Sequence, residues 1–133
     1  MKKIKRALVI PDQHYPIHDE KAVKVVLKAI DIVKPDAFIN LGDVGEWESV
    51  SMWQWKRKKK PPLEYQLPII DKEAKLVNKE IDRFDKALAK VGCKTKYILA
   101  GNHDEWLTEG FVKEYPYMKD YTFKKLCKWK ERG

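Results

Sequence analysis

The sequence has few cysteines, few histidines and no long apolar run, and each shortage excludes a class of protein. The two cysteines, Cys93 and Cys127, have neither a metal-binding spacing nor the density of a disulfide framework, so we expect free thiols. No apolar run approaches the ~20 residues of a membrane-spanning helix, and the short run that follows the basic start lacks a small-residue cleavage site. We therefore expect a cytoplasmic protein that does not enter a membrane.

Charged and apolar residues are what the sequence has in abundance. Charged residues make up 36% and hydrophobic residues 44% of the 133 positions, which suits one folded domain with a heavily solvated surface. The formal net charge of +8 suggests polyanionic partners, and a solvated lysine-rich surface is the alternative interpretation.

The order of the apolar segments predicts an α/β fold. Residues 19–34 have apolar side chains at helical spacing, with Asp19 as the expected N-cap. A longer helix is predicted from about Pro68 to Val91, where apolar residues recur every three or four positions. Short apolar runs typical of strands lie at 6–11, 36–41 and 95–100. Strands and helices in this alternation predict right-handed βαβ crossovers and a parallel sheet.

Two segments lie outside this alternation. Residues 102–133 carry apolar side chains in short helical pieces, and residues 47–63 are expected to form an irregular excursion. The excursion contains five consecutive basic residues, which are Lys56, Arg57, Lys58, Lys59 and Lys60. Because Trp53 and Trp55 stand beside them, these residues are candidates for contacts with phosphates and nucleic-acid bases. A solvated loop is the alternative.

Each predicted strand is followed by side chains that can bind metal ions. The strand ends read PDQH, GDVGE and GNHDE, and in a parallel sheet they lie along the edge where open α/β sheets bind ligands. Carboxylates that converge without a nearby Lys or Arg repel one another and favour a cation. Mixed nitrogen and oxygen ligands suit Mn²⁺ best, with Fe, Zn²⁺ and Mg²⁺ as alternatives. The converging residues would be Asp12, His14, Asp43, Glu46, Asn102, His103 and Asp104.

Each of these motifs also has a simpler interpretation when taken alone. The first is compatible with a polar loop and the second with a turn. The third is compatible with a helix start, in which Asn102 is the N-cap and Asp104 lies in the first turn. All three occur in order, each after an apolar strand, and this combination favours a metal site.

The three motifs together resemble a known family. Asp12-x-His14, Gly42-Asp43-x-x-Glu46 and Gly101-Asn102-His103-Asp104 are similar to the first three motifs of the calcineurin-like metallophosphoesterases. The resemblance runs from about residue 6 to 109. It implies a β-sandwich flanked by helices, two metal ions at the strand ends, and hydrolysis of a phosphomonoester or phosphodiester by a metal-activated hydroxide.

The resemblance also implies a set of ligands. Asp12 and His14 would hold the first ion. Asp43 would bridge both ions, and Asn102 would hold the second.

The remaining residues of the motifs would act on the substrate or support the ligands. His103 would stabilise or protonate the leaving oxygen, with Asp104 orienting it. Glu46 is expected to lie next to the metal ligands and support them, without binding the metal itself.

The chain departs from the family pattern after the third motif. The family continues with an isolated His and a Gly-His-x-His, whereas this chain has only His14, His18 and His103. We therefore expect residues 1–133 to form a partial domain without the second half of the sandwich. His18 is expected to be a surface or loop histidine.

This departure leaves two other functions open. One is a truncated metal-binding remnant without catalysis, and the other is a nucleic-acid-binding or assembly module. An incomplete sandwich would leave apolar surface exposed, which favours a homo-oligomer or a partner that supplies the missing C-terminal half.

Overall fold

A small parallel sheet organises the computed structural model, which describes residues 3–133. Its strands are β1 (Ala7–Ile10), β2 (Ala37–Asn40) and β3 (Thr95–Ile98), and their order is β1–β2–β3. The predicted α/β class with a parallel sheet is confirmed. Within residues 3–133 no second sheet accompanies it, so the described part of the chain is not a sandwich.

The first crossover is α1 (Glu20–Val33), and it begins and ends as its sequence predicts. Asp19 caps it, because one carboxylate oxygen accepts from the backbone N–H groups of Lys21 and Ala22 at 2.8 and 3.2 Å. The helix ends at Lys34, which adopts the left-handed conformation immediately before a proline.

The second crossover is α3 (Leu63–Lys90), which begins five residues before the predicted start at Pro68. That prediction was wrong because Pro68 has no N–H to donate along the helix, and proline usually marks a helix start. Tertiary contacts stabilise the extra turn. Leu63 and Leu67 pack against the core, and the buried Gln66 donates to the carbonyl of Ser49 at 2.7 Å.

The segments outside the βαβ units are largely helical. The prediction that residues 47–63 are irregular is corrected. This segment contains a 3₁₀ turn (Glu48–Val50) and a short helix α2 (Gln54–Arg57). The predicted helical pieces after residue 102 are confirmed. They are α4 (Asn102–Glu105), π-helical turns (Trp106–Val112), a 3₁₀ segment (Pro116–Tyr121), α5 (Phe123–Leu126) and α6 (Trp129–Arg132). No helix in residues 3–133 combines the length and apolar character needed to cross a bilayer.

The two long helices cover the same face of the sheet. Right-handed crossovers that advance in one direction, from β1 to β2 to β3, place both helices on one side, and α1 contacts α3 there. Phe38 of β2 packs against Phe84 of α3, with ring centroids 5.7 Å apart. The predicted apolar stripe has seven residues, and its last, Val91, follows the helix and is only partly buried. The six that α3 buries are Ile70, Ala74, Val77, Ile81, Phe84 and Leu88.

The other face of the sheet is open to solvent. Val9, Ile39 and Tyr97 lie side by side on it in register, and Val9 and Tyr97 are 47% and 54% exposed. Leu41 and Leu99, just beyond the strands, are also exposed. The chain therefore has a two-layer arrangement in which one sheet face carries the core and the other exposes apolar side chains.

Candidate metal centre

The loops after β1 and β2 run side by side and extend the sheet beyond its strands. The backbone N–H of His14 donates to the carbonyl of Asp43, and that of Tyr15 donates to the carbonyl of Val44, both at 2.9 Å. Tyr15 also forms a parallel bridge with Gly45. The side chains of the first two motifs are thereby fixed relative to each other.

The loop after β3 joins this pair through close backbone contacts. The N–H of His103 donates to Oδ1 of Asp43 at 2.9 Å. A side chain on Gly42 would overlap the backbone of Gly101, and one on Gly101 would overlap Asp43. Gly42 also has a φ of +104°, which L side chains rarely adopt. The glycines of the second and third motifs therefore allow the two loops to touch.

Several residues in the motifs or next to them have a backbone conformation that most residues avoid. Asp12, His14, Asp43 and Trp47 have φ values of 52°, 49°, 50° and 50°. The left-handed region costs a non-glycine residue ~1–2 kcal/mol, and such conformations cluster at functional sites. The conformation is sustained here by the hydrogen bonds between the loops.

Asp12, His14 and Asp43 form a group of donor atoms that could hold one ion. One ligand atom from each lies within 4.8 Å of the others, and Nε2 of His14 is 3.9 Å from Oδ1 of Asp12. Two ligands at ~2.0–2.2 Å from a common ion lie at most ~4.4 Å apart, so small side-chain rotations complete the geometry. The side chain of Asp12 is 65% exposed, which leaves the group accessible from solvent.

Glu46 contacts both imidazoles of the centre. Its Oε2 lies 2.9 Å from Nδ1 of His14, and its backbone oxygen lies 2.9 Å from Nδ1 of His103. A carboxylate that accepts from Nδ1–H leaves Nε2 of His14 with a free lone pair, which is the usual arrangement for a metal-binding histidine. His14, Glu46 and His103 also form a second group with ligand-like spacing.

The ring of His103 is held between two aromatic neighbours. It stacks on Trp106 at a centroid distance of 4.0 Å, and it meets the ring of His14 edge-on at 4.7 Å. Trp106 was not among the residues predicted for the site. Its position three residues after His103 in a helical segment is the feature that would have identified it.

Asp104 is fully buried and does not orient His103 as predicted. Its side chain accepts four hydrogen bonds that tie the loop after β2 to the loop after β3. Burial raises the pKa of Asp104, and the hydrogen bonds oppose that rise. The expected contact with His103 is made by Glu46 instead. The four donors, at 2.9 to 3.1 Å, are the backbone N–H groups of Val44, Gly45 and Gly101 and the indole N–H of Trp47.

Asn102 is exposed, as Asp12 is. It lies at the first position of α4, and its side chain makes no hydrogen bond within residues 3–133. The alternative in which Asn102 caps the helix is wrong, because Gly101 is the N-cap.

The carboxylates of the centre are not neutralised by basic side chains. In the part of the chain that the structure describes, no Lys or Arg forms an ion pair with Asp12, Asp43 or Glu46. A divalent cation is the natural partner for such a set of donors.

The predicted basic residues lie on α2 and just after it. Nζ of Lys56 lies 4.6 Å from the centroid of the Trp53 ring. Lys60 forms an ion pair with Glu114 and lies over the Tyr115 ring. The other three, which form no ion pair within residues 3–133, are Arg57, Lys58 and Lys59.

A third group with ligand-like spacing, formed by His18, Glu20 and Glu80, already contains a cationic side chain. Arg83 donates to Glu20 at 2.6 Å and to Glu80 at 3.1 Å. His18 lies in a loop as predicted, but its side chain is only 14% exposed, and Nε2 is 3.1 Å from Glu20. This cluster joins α1 to α3.

Comparison with protein-family models, with curated proteins and with solved structures gives no match to this chain.

Proposed function

We propose that this protein is a metal-dependent phosphoesterase that acts on a phosphomonoester or phosphodiester. The observation that carries the proposal is the contact between Nδ1 of His14 and Glu46 at 2.9 Å. It leaves Nε2 of His14 facing the carboxylate of Asp12 at 3.9 Å, with Asp43 in the same group. An imidazole supported by a carboxylate and turned toward two more carboxylates is suited to a divalent cation.

Asp12, His14 and Asp43 would hold the ion, and Mn²⁺ suits their mixture of nitrogen and oxygen donors. When bound, such an ion supplies positive charge to phosphate oxygens and makes water a stronger acid. Asp43 has one oxygen committed to the N–H of His103, so its other oxygen is available to the ion. Glu46 keeps the ring of His14 in the orientation that ligation needs.

His103 is the candidate acid. Because a carbonyl oxygen can only accept, the contact with the backbone oxygen of Glu46 places a proton on Nδ1. Nε2 is then the free end of the ring, and it donates to a leaving oxygen when the ring is in its imidazolium form. Stacking on Trp106 fixes the plane of the ring.

The donor set favours one ion rather than two. A second ion would share Asp43 and would otherwise depend on Asn102, a neutral side chain that is exposed. Two close cations repel, so the second position would fill poorly. We therefore expect about one Mn²⁺ per chain at micromolar Mn²⁺, and slow hydrolysis, because a two-metal clamp stabilises both the attacking and the leaving oxygens.

The test combines metal stoichiometry with hydrolysis of bis-p-nitrophenyl phosphate. We expect one bound Mn²⁺ and a slow reaction that needs the metal and is lost in both Asp43→Asn and His103→Ala. One bound ion with no hydrolysis above the Asp43→Asn background would show that the protein binds metal without catalysis, and would overturn the enzyme assignment. Two tightly bound ions and fast turnover by a monomer would overturn the single-ion account.

A further inference from the structure

A groove of about 530 Å³ lies between the basic segment and the helical turns that follow His103. Its apolar wall includes Val50, Trp55 and Phe111, and its lysines are Lys56, Lys60 and Lys113. Ligand pockets in proteins commonly measure ~300–1,000 Å³ and are lined by apolar and aromatic side chains with a few charged groups. The groove therefore has the size and the lining of a binding site.

The rim of the groove has an excess of positive charge. Lys60 is paired with Glu114, and Glu109 is the other acidic residue of the lining, whereas Lys56 and Lys113 are exposed and form no ion pair within residues 3–133. Arg57, Lys58 and Lys59 continue the basic run beside it. An anionic ligand at the rim would meet lysines that form no ion pair within residues 3–133.

The aromatic wall is held in place. The indole N–H of Trp55 donates to the carbonyl of Ser49 at 3.0 Å, which fixes the plane of the ring while part of it stays exposed. Trp53 is 67% exposed, and Lys56 lies over its ring. Exposed, oriented indoles beside lysines form a surface on which nucleic-acid bases stack while their phosphates are neutralised.

The walls of the groove are continuous with the candidate metal centre. Val50 lies four residues after Glu46, so their Cα atoms are within about 14 Å of each other even along a fully extended chain. On the other side, the helical segment that starts at Asn102 continues through Trp106 to Phe111. The 3₁₀ turn and these π-helical turns pack against each other. A strand bound in the groove can therefore reach the centre within a few nucleotides.

We propose that this groove binds single-stranded nucleic acid, with a base against Trp55 and the adjacent phosphates at Lys56 and Lys113. The proposal rests on the proposed function, because it identifies a strand phosphodiester as the substrate class. A free nucleotide has the same base and phosphate but lacks the neighbouring phosphates that the basic run would neutralise. The structure thus favours a strand over a mononucleotide.

The experiment measures binding of a fluorescein-labelled hexathymidylate by anisotropy, in EDTA and over a range of salt concentrations. The test variant is Lys56→Ala with Lys113→Ala. The matched control is Lys79→Ala with Lys86→Ala, which removes the same charge from exposed positions of α3. Each phosphate contact with a single strand contributes ~0.7 to the slope of log K against log salt, so we expect two lost contacts to reduce the slope by about 1.4. Affinity at low salt should fall on the order of tenfold in the test variant and remain near wild type in the control.

A competition experiment distinguishes a nucleic-acid strand from a mononucleotide as the ligand. Unlabelled hexathymidylate should displace the probe at a far lower concentration than thymidine monophosphate. Equal displacement by the mononucleotide would overturn the assignment of a strand as the ligand. Equal losses of affinity in the test and control variants would show that binding depends on net charge alone, and would overturn the assignment of the groove as the binding site. Absence of binding by the wild type at low salt would also overturn it. Because EDTA removes the metal, these outcomes are independent of whether the wild type hydrolyses bis-p-nitrophenyl phosphate.

Discussion

The backbone N–H of His103 donates to Oδ1 of Asp43 at 2.9 Å, across 60 residues of chain. This bond joins the loop after β3 to the loop after β2, and it fixes one oxygen of the carboxylate that we propose as a metal ligand. A carboxylate oxygen of Asp43 also lies within 4.8 Å of ligand atoms of Asp12 and His14. The backbone of the third motif thus orients a side chain of the second.

Asp43→Asn should weaken Mn²⁺ binding more than His103→Ala does. The amide retains an oxygen that can accept from the N–H of His103, so the loops keep their arrangement while the negative charge is lost. We expect a loss of at least about tenfold, since even residues that only support a metal ligand cost ~10–100-fold when replaced. Titration calorimetry measures the affinity, with the exposed Asp120→Asn as the charge-matched control. Equal affinities for Asp43→Asn and wild type would refute the ligand assignment.

Asp104→Ala should destabilise the fold strongly. It would leave three buried N–H donors and one partly buried one without their acceptor. A buried unsatisfied donor costs ~1–3 kcal/mol, and with partial relaxation we expect a total loss of ~3–5 kcal/mol in the free energy of unfolding. Asp104→Asn keeps one accepting oxygen and should lose less. Urea unfolding measures the change, and Glu105→Ala on the same helix should stay within ~0.5 kcal/mol of wild type. A similarly small change in Asp104→Ala would show that the loops do not depend on this carboxylate.

Gly101→Ala and Gly110→Ala should have opposite effects on stability. A methyl group on Gly101 would overlap Asp43, so the loops must separate, and we expect weaker Mn²⁺ binding and a loss of ~1–3 kcal/mol. A methyl group on Gly110 would lie 3.8 Å from the nearest side-chain atom, in Met52, and alanine favours a helix by ~0.5–1 kcal/mol. Thermal unfolding and calorimetry test both variants. Unchanged Mn²⁺ affinity in Gly101→Ala would contradict the close packing of the two loops.

Glu20 should titrate unusually low because of Arg83. The pKa of Glu20 is lowered from 4.5 to about 2, chiefly by the hydrogen bond from Arg83 and further by the hydrogen bond to His18. Since the folded-state pKa is depressed, the stabilisation is present above pH ~4.5 and is lost as the pH falls toward 2. Carboxyl-carbon NMR should show this titration in wild type and a return toward the ordinary value in Arg83→Gln. Lys24→Gln is the control, because its ammonium lies 3.9 Å from Glu20 and contributes less. A wild-type Glu20 that titrates near 4.5 would disprove the coupling.

Most of the fold follows from local patterns in the sequence. The boundaries of α1 follow from Asp19, the apolar spacing and Pro35, and the parallel pairing of the strands follows from the alternation of short apolar runs with helices. These features act between neighbours in the chain, so they can be recognised without the fold. The start of α3 at Leu63 could not be recognised in this way. A contact between Gln66 and Ser49 and the packing of two leucines against the core outweigh the destabilising effect of the proline within the helix.

The sequence by itself determined which chemistry-bearing residues stand at the strand ends, because parallel strands bring those ends to one edge of the sheet. Only the tertiary structure decided which way each side chain faces. Asp104 turns inward because the backbone amides of Val44 and Gly45, 60 and 59 residues away, form its hydrogen bonds. Glu46 reaches His14 across 32 residues of chain. Hydrogen bonds between such distant residues leave no periodic trace in a sequence, since they form only where folding has brought the loops together.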